Sequence, residues 1–389
     1  MQADPRNAPT PLQRRLRSAI AQAGGWLPFD RFMAIALYEP GLGYYARGDT
    51  QIGRWPAGGP GASRAEAGSD FVTAPELSPL FGRALAVQLA QALDATGTDE
   101  VWEFGAGTGA LAEQLLDALG ERVRRYVIVD LSGALAARQR ARLARFGPRV
   151  EWVSALPARL DGVVVGNELL DAMPVTLLHW DGQSWFERGV ALSDRAGAAA
   201  AGGGTEVPAA CGFAWSDRPT ALRPPVDGPF APGTVTEIHP QAQAFVRTLA
   251  ATLGRGAAFF VDYGFPESEY YHPQRRGGTL MCHRAHRADA DPLAEVGDKD
   301  ITAHVDFTAI ALAAQDAGME VLGYTSQARF LINCGLPAML AEADLPARTA
   351  ARRLIDEHEM GELFKVLALA KGVVLDAIGF AQGDRTHRL

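Results

Sequence analysis

Cysteine is scarce in this chain of 389 residues: there are three, Cys211, Cys282 and Cys334, widely spaced and odd in number. That excludes a disulfide framework and fits a reduced, cytoplasmic-type compartment. Also missing is any apolar run near the roughly 18 residues that a helical membrane span needs. Positive charge is short as well. The 37 Lys and Arg face 45 Asp and Glu, giving a net charge of −8. This argues against a nucleic-acid backbone as the main partner, because such a partner needs a basic footprint. With 48% hydrophobic and 21% charged residues, the composition is that of an ordinary globular protein with a sizeable core. The length suits one large domain with attachments.

The N-terminal stretch predicts an amphipathic helix around Pro11–Ala23. Its arginines also suit a mitochondrial transit segment, but it leads straight into folded sequence, so a surface helix is the preferred reading. Pro56–Ser69 and Ala196–Gly204 are rich in glycine and alanine and bury too little to offset their ordering entropy. Both read as flexible surface insertions.

Between and after them runs an alternating β/α pattern. Ser78-Pro79 starts a helix that stops at Gly97. A strand over Val101–Phe104 follows, then a glycine turn, a helix over Ala110–Leu119, and a strand over Tyr126–Val129. Ser132 caps a helix to about Arg145, and Val150–Val153 and Gly162–Val165 are further short apolar runs. Such runs, buried on both faces, are what a parallel sheet demands. Val175–Trp180 and Trp185–Leu192 flank Asp181-Gly182, a hairpin signal. The rhythm resumes with a helix over Pro240–Leu253 and a strand over Ala257–Val261. A long connection then leads to Asp306, which caps a helix ending at Gly318, with strands over Met319–Tyr324 and Phe364–Ala370.

The sharpest motif is Glu103-Phe104-Gly105-Ala106-Gly107-Thr108-Gly109, between a predicted strand and helix. Its G-x-G-x-G spacing departs from the G-x-G-x-x-G of dinucleotide folds, which would need glycine at Ala110. An acid at the strand end, Glu103, suits the α-amino group of S-adenosylmethionine better than a pyrophosphate. Asp130 ends the next strand, where a carboxylate can accept both ribose hydroxyls. Ser154, after the third strand, can touch the adenine edge. Asn167-Glu168 follows the fourth strand, which flanks the crevice at the topological switch point.

At these residues the chain resembles the MidA family, which includes a mitochondrial arginine methyltransferase that assists complex I assembly. The matching stretches are Gly41–Tyr45, Asp70–Gly82 (DFVTAPELSPLFG), Trp102–Leu111, Asn167–Pro174 (NELLDAMP), Thr236–Ala242, Val261–Gly264 and Asp300–Phe307. The resemblance implies S-adenosyl-L-methionine as cofactor, a protein arginine as acceptor and a respiratory complex I subunit as partner. It places the protein in the bacterial cytoplasm or, in a eukaryote, the mitochondrial matrix. The expected fold is α/β, a class I methyltransferase doubly wound seven-stranded sheet with an N-terminal helical extension (1–77) and an inserted β-hairpin (175–234). Residues 78–174 and 235–371 form the cofactor-binding domain.

The expected cofactor-binding residues are Thr73, Glu103, Gly105, Ala106, Gly107, Gly109, Asp130, Ser154 and Asn167. An arginine acceptor keeps its charge, delocalised over three nitrogens, at any working pH. It calls for carboxylates that orient it bidentately. Glu168 and Glu237 are the candidates, with Asp171 and Asp262 in reserve. The Gly264–Val305 connection is too long for a passive link and reads as a substrate-facing lid, with His304 placed to orient a carboxylate or take a proton. Its Cys282-His283 and His286 match no standard zinc spacing, and no metal is expected. Two other readings stand beside protein methylation: a small-molecule methyltransferase, and a non-catalytic assembly factor that retains cofactor binding.

Overall fold

The structure is a computed structural model and describes residues 8–47, 72–130, 132–193, 212–284 and 287–389. Pro56–Ser69, Ala196–Gly204, Cys211 and His286 lie outside the described residues. The chain divides into two units: Gln51–Ala172 with Gln241–Tyr270 and His304–Leu389, and Met1–Thr50 with Met173–Pro240 and Tyr271–Ala303.

The larger unit is built on one sheet. Its strands are β1 (Glu100–Phe104), β2 (Arg125–Val129), β3 (Val150–Val153) and β4 (Leu160–Asn167). They continue with β5 (Leu253–Phe265), β6 (Val305–Asp306), β7 (Glu320–Ser326) and β8 (Phe364–Lys371). The order is β7-β8-β5-β4-β1-β2-β3, with β6 paired to the end of β5. Neighbours from β5 to β3 are parallel, while β8 runs antiparallel to both β5 and β7. This is the expected seven-stranded, doubly wound sheet with its last strand inserted antiparallel; β6 is a two-residue addition. The Val163–Val165 and Phe259–Val261 runs are almost wholly buried, as strands covered on both faces must be.

Local signals set the helices around it. Ser78 caps the helix Pro79–Thr96 by accepting the Leu80 N–H at 3.3 Å, and Gly97 ends it with φ +62°. The helix Ala110–Leu119 stops at Gly120, and Asp306 caps Phe307–Asp316 through the Ala309 N–H. Four helices between β7 and β8, Gln327–Asn333, Leu336–Glu342, Leu345–Ile355 and the short Met360–Leu363, went unread in the sequence. Because β1 and β4 are neighbours whose chains leave toward opposite sides, their C-terminal ends border the switch-point crevice.

The smaller unit corrects the expected organisation. The helix Pro11–Gln22 is present, closed by a capping box between Thr10 and Gln13. However, the N-terminal region is not purely helical. Trp26–Pro28 is a strand paired antiparallel with Trp185–Leu192, and Gly189 leaves no room there for a side chain against Leu27 and the Trp26 ring. The hairpin Thr176–Trp180/Trp185–Leu192 is thus part of a five-stranded sheet that also holds Thr234–Ile238 and Phe213–Pro219. The long connection is not a bare lid either. Met281–Arg284 pairs with Arg287–Asp289 and with Asp300–Thr302 in a small sheet of the same unit. Among the described residues no helix is long and apolar enough to cross a membrane.

Candidate functional site

The glycine loop leaves β1 and enters the helix Ala110–Leu119 through residues in the left-handed region. Gly107 has φ +53° and Gly109, the helix N-cap, φ +82°. A Cβ at Gly107 would meet nothing within 4 Å. Its glycine therefore serves the backbone turn and an open space beside it, not a crowded protein contact. Such a cradle, at the carboxyl end of a parallel strand, suits a ligand that comes close to the main chain.

Glu103 lies beneath this loop. It is 2% exposed, and its carboxylate accepts the Tyr126 hydroxyl from β2 at 2.8 Å. Burial, with the Asp130 charge adding to it, pushes the Glu103 pKa up to about 8. The sign follows from linkage: the folded protein favours the protonated acid, so this stability is full below about pH 4.5 and is lost as pH rises through about 8. Glu103→Gln, neutral at every pH, should escape that loss. Melting curves from pH 5 to 8 should show the wild type falling relative to the variant as pH rises; a constant gap would mean Glu103 does not titrate in this range.

Asp130, just past β2, accepts the Ser132 N–H at 2.8 Å on one oxygen and the Gln139 side-chain amide at 2.8 Å on the other. Gln139 also donates to the Gly107 carbonyl at 2.9 Å and accepts from the Trp152 indole at 2.9 Å. Sequence reading missed it. A signal was there: Leu135, Ala136 and Leu143 mark the buried face of this helix, and a glutamine interrupts it. Ser154 follows β3 and is exposed.

The short helix Ala74–Leu77 lies in the same unit. Thr73 is its N-cap residue and is half-buried, with no side-chain cap bond. The next residue, Ala74, donates its N–H to Glu168 Oε1 at 3.4 Å. Glu76, also missed, accepts the Thr108 hydroxyl and pairs with Arg142 at 2.8 Å, and Arg142 also holds Glu113 at 2.8 Å.

At the ends of β4 and β5 the chain is tightly organised. Asn167 pairs with Val261, and its amide donates to Glu168 Oε1 at 3.0 Å. Glu168 has φ +50°, and its N–H reaches the Val261 carbonyl at 2.9 Å. Left-handed backbone at a residue with a Cβ costs about 1–2 kcal/mol, and is often held at functional sites. One oxygen of Asp262 holds the turn by accepting the N–H groups of Leu169, Leu170 and Asp171 at 3.1, 2.8 and 3.3 Å. Asp171 accepts the Tyr263 hydroxyl. Burial raises the Asp171 pKa to about 6 and pushes Asp262 well up, the latter helped by the neighbouring Asp171 charge. The His304 ring sits edge-on to Tyr263, with centroids 5.1 Å apart, and tilted against Phe265 at 5.2 Å.

Glu237 needs correction. It belongs to the smaller unit and is fully buried. Its carboxylate accepts the N–H groups of Thr279 and Leu280 at 2.9 and 3.1 Å and the Thr279 hydroxyl at 3.3 Å. It pins the loop after Gly278 rather than waiting for an acceptor. Glu237→Ala would strand the buried Thr279 N–H and the half-buried Leu280 N–H, at about 1–3 kcal/mol. The Thr279 and Leu280 amides should then exchange with solvent about tenfold or more faster by hydrogen-exchange mass spectrometry; unchanged exchange would refute the pinning. Among the described residues no group of three His, Cys, Asp or Glu side chains is placed to hold a metal ion.

The sheet order, the glycine cradle between β1 and its helix, and the carboxylate after β2 define a class I S-adenosylmethionine-dependent methyltransferase. The family model for S-adenosyl-L-methionine-dependent methyltransferases matches residues 84–325, and the chain belongs to that family, in its MidA branch. A Burkholderia thailandensis protein solved with S-adenosyl-homocysteine bound is 50% identical, with a TM-score of 0.86, covering 98% of this chain and 99% of that one. The mitochondrial protein arginine methyltransferase NDUFAF7 of Danio rerio is 26% identical over 94% of this chain and 87% of its own length. Its Drosophila melanogaster homolog is 28% identical over 93% of this chain and 85% of its own.

Proposed function

We propose that this enzyme methylates an arginine side chain of a protein. The observation that carries the reading is the carboxylate of Glu168, set on a left-handed turn directly after β4 and backed by Asp262 and Asp171. Relatives named as protein arginine methyltransferases support it. When bound, S-adenosylmethionine supplies a methyl group on a positively charged sulfur. In this reading Gly105, Ala106, Gly107 and Gly109 let the main chain approach its methionine portion, and Glu103 lies beneath them. Asp130 accepts the ribose hydroxyls, Thr73 and Asn167 flank the ligand, and Ser154 stands at the adenine edge.

Glu168 then orients the guanidinium. A carboxylate paired with two of its nitrogens draws positive charge toward them and leaves the third freer to attack. Burial and the neighbouring Asp171 charge push Asp262 toward its neutral form, which keeps net negative charge at the turn moderate and favours docking a cation without adding several unpaired anions. His304, seated between aromatic rings, holds Tyr263 in place and is kept as a candidate for moving the released proton. By the same resemblance the acceptor is a respiratory complex I subunit, met in the bacterial cytoplasm or the mitochondrial matrix.

The test is incubation with methyl-labelled donor and cell extract, followed by acid hydrolysis of the labelled protein fraction. Label recovered as methylarginine supports the reading. Label confined to small molecules would replace it with small-molecule methylation. Tight cofactor binding with no transfer at all would point to a non-catalytic assembly factor.

A further inference from the structure

We infer that Gln139 is a positioning residue for the cofactor, locking the ribose-accepting carboxylate to the glycine loop; this rests on the reading of Asp130 as the ribose acceptor. Gln139 is fully buried on an otherwise apolar helix face. Leucine or methionine would fill that volume without the desolvation cost of an amide, so the polar side chain needs a reason in what it binds. Its amide nitrogen bridges the Gly107 carbonyl at 2.9 Å and Asp130 Oδ2 at 2.8 Å, and its oxygen accepts the Trp152 indole at 2.9 Å. Its Cα and Cγ also lie 3.5 Å from the place of a Cβ on Gly109. One side chain thus joins structure at the ends of β1, β2 and β3.

The consequence for Asp130 is directional. With Ser132 N–H on one oxygen and Gln139 on the other, the carboxylate is held in one orientation, so the directions in which it accepts are set before any ligand arrives. Preorganisation of this kind raises affinity for groups that fit those directions and does little for those that do not. The Gly107 carbonyl is held by the same nitrogen, so the methionine and ribose ends of the site are set as one frame.

The test uses calorimetry with two ligands, S-adenosylhomocysteine and its analogue lacking both ribose hydroxyls, on the full chain and on Gln139→Leu and Gln139→Glu. Wild type should prefer S-adenosylhomocysteine at least tenfold. Gln139→Leu should lose about tenfold for S-adenosylhomocysteine and little for the analogue, so that the preference collapses. Gln139→Glu keeps the shape and the acceptor for Trp152 but sets a second carboxylate against Asp130, and its loss should be larger. If Gln139→Leu fails to fold, the Gln139→Glu comparison decides. Equal loss for both ligands, or an unchanged preference, overturns the inference and leaves the ribose reading intact. A wild type that binds both ligands equally removes Asp130 from the ribose and overturns both.

Discussion

Gly107→Asp should abolish detectable binding of S-adenosylhomocysteine while the protein remains folded. The two halves of that result have separate causes. Gly107 sits at φ +53° with open space where a side chain would project. Aspartate is among the residues that tolerate this left-handed region, and its Cβ would meet nothing within 4 Å, so the fold should lose only about 1–2 kcal/mol. The ligand, however, is expected in that same space. A carboxylate there displaces the methionine portion and opposes its carboxylate. Calorimetry should show no heat for the variant, a measurable constant for the wild type, and none for NAD with either. Wild-type affinity in Gly107→Asp would show that the cradle faces something else.

Glu168→Gln should cut methyl transfer at least tenfold and leave cofactor affinity nearly unchanged. A hydrogen bond to a charged partner contributes about 1.5–3 kcal/mol, and each 1.36 kcal/mol of barrier is about one decade in rate. The substitution is structurally mild. Glutamine can present its oxygen to the Ala74 N–H and the Asn167 amide, which are the bonds Glu168 Oε1 makes now, so the left-handed turn should persist. What it removes is the charge that an arginine would need. The measurement pairs calorimetry with transfer to the identified acceptor. Normal transfer would dismiss Glu168 as the acceptor carboxylate. Parallel loss of cofactor binding and transfer would make it a cofactor or structural residue instead.

What the sequence made legible depended on how local the signal was. The glycine loop, the Ser78 and Asp306 caps, the Gly97 and Gly120 stops and the valine-rich strands are all written within a few residues of where they act, and the structure has them. The strand count and the doubly wound class followed from the β/α rhythm together with the glycine loop. The five-stranded sheet of the smaller unit did not, because Trp26–Pro28 is three residues long and its partner, Gly189–Ala191, is far along the chain. Side-chain roles were harder still. Glu168 and Glu237 read alike as carboxylates beside strand ends, yet one heads a left-handed turn and the other is consumed by a loop some forty residues later. Nothing nearby in sequence shows which donors a carboxylate will meet, since the donors come from elsewhere. Gln139 was half legible: its place on the apolar face was visible, its three partners were not.

The position of β8 bears on how the protein is made. β5 ends at Phe265 and its neighbour β8 begins 99 residues later, at Phe364. At about 5–20 residues per second, the ribosome leaves the apolar edge of β5 uncovered for roughly 5–20 s. β7, made in the meantime, cannot shield it, because in the finished sheet β7 touches only β8. An open edge of this kind recruits strands from other chains. A chain stopped just before Phe364 should therefore aggregate where the full chain stays in solution, as sedimentation after translation would show.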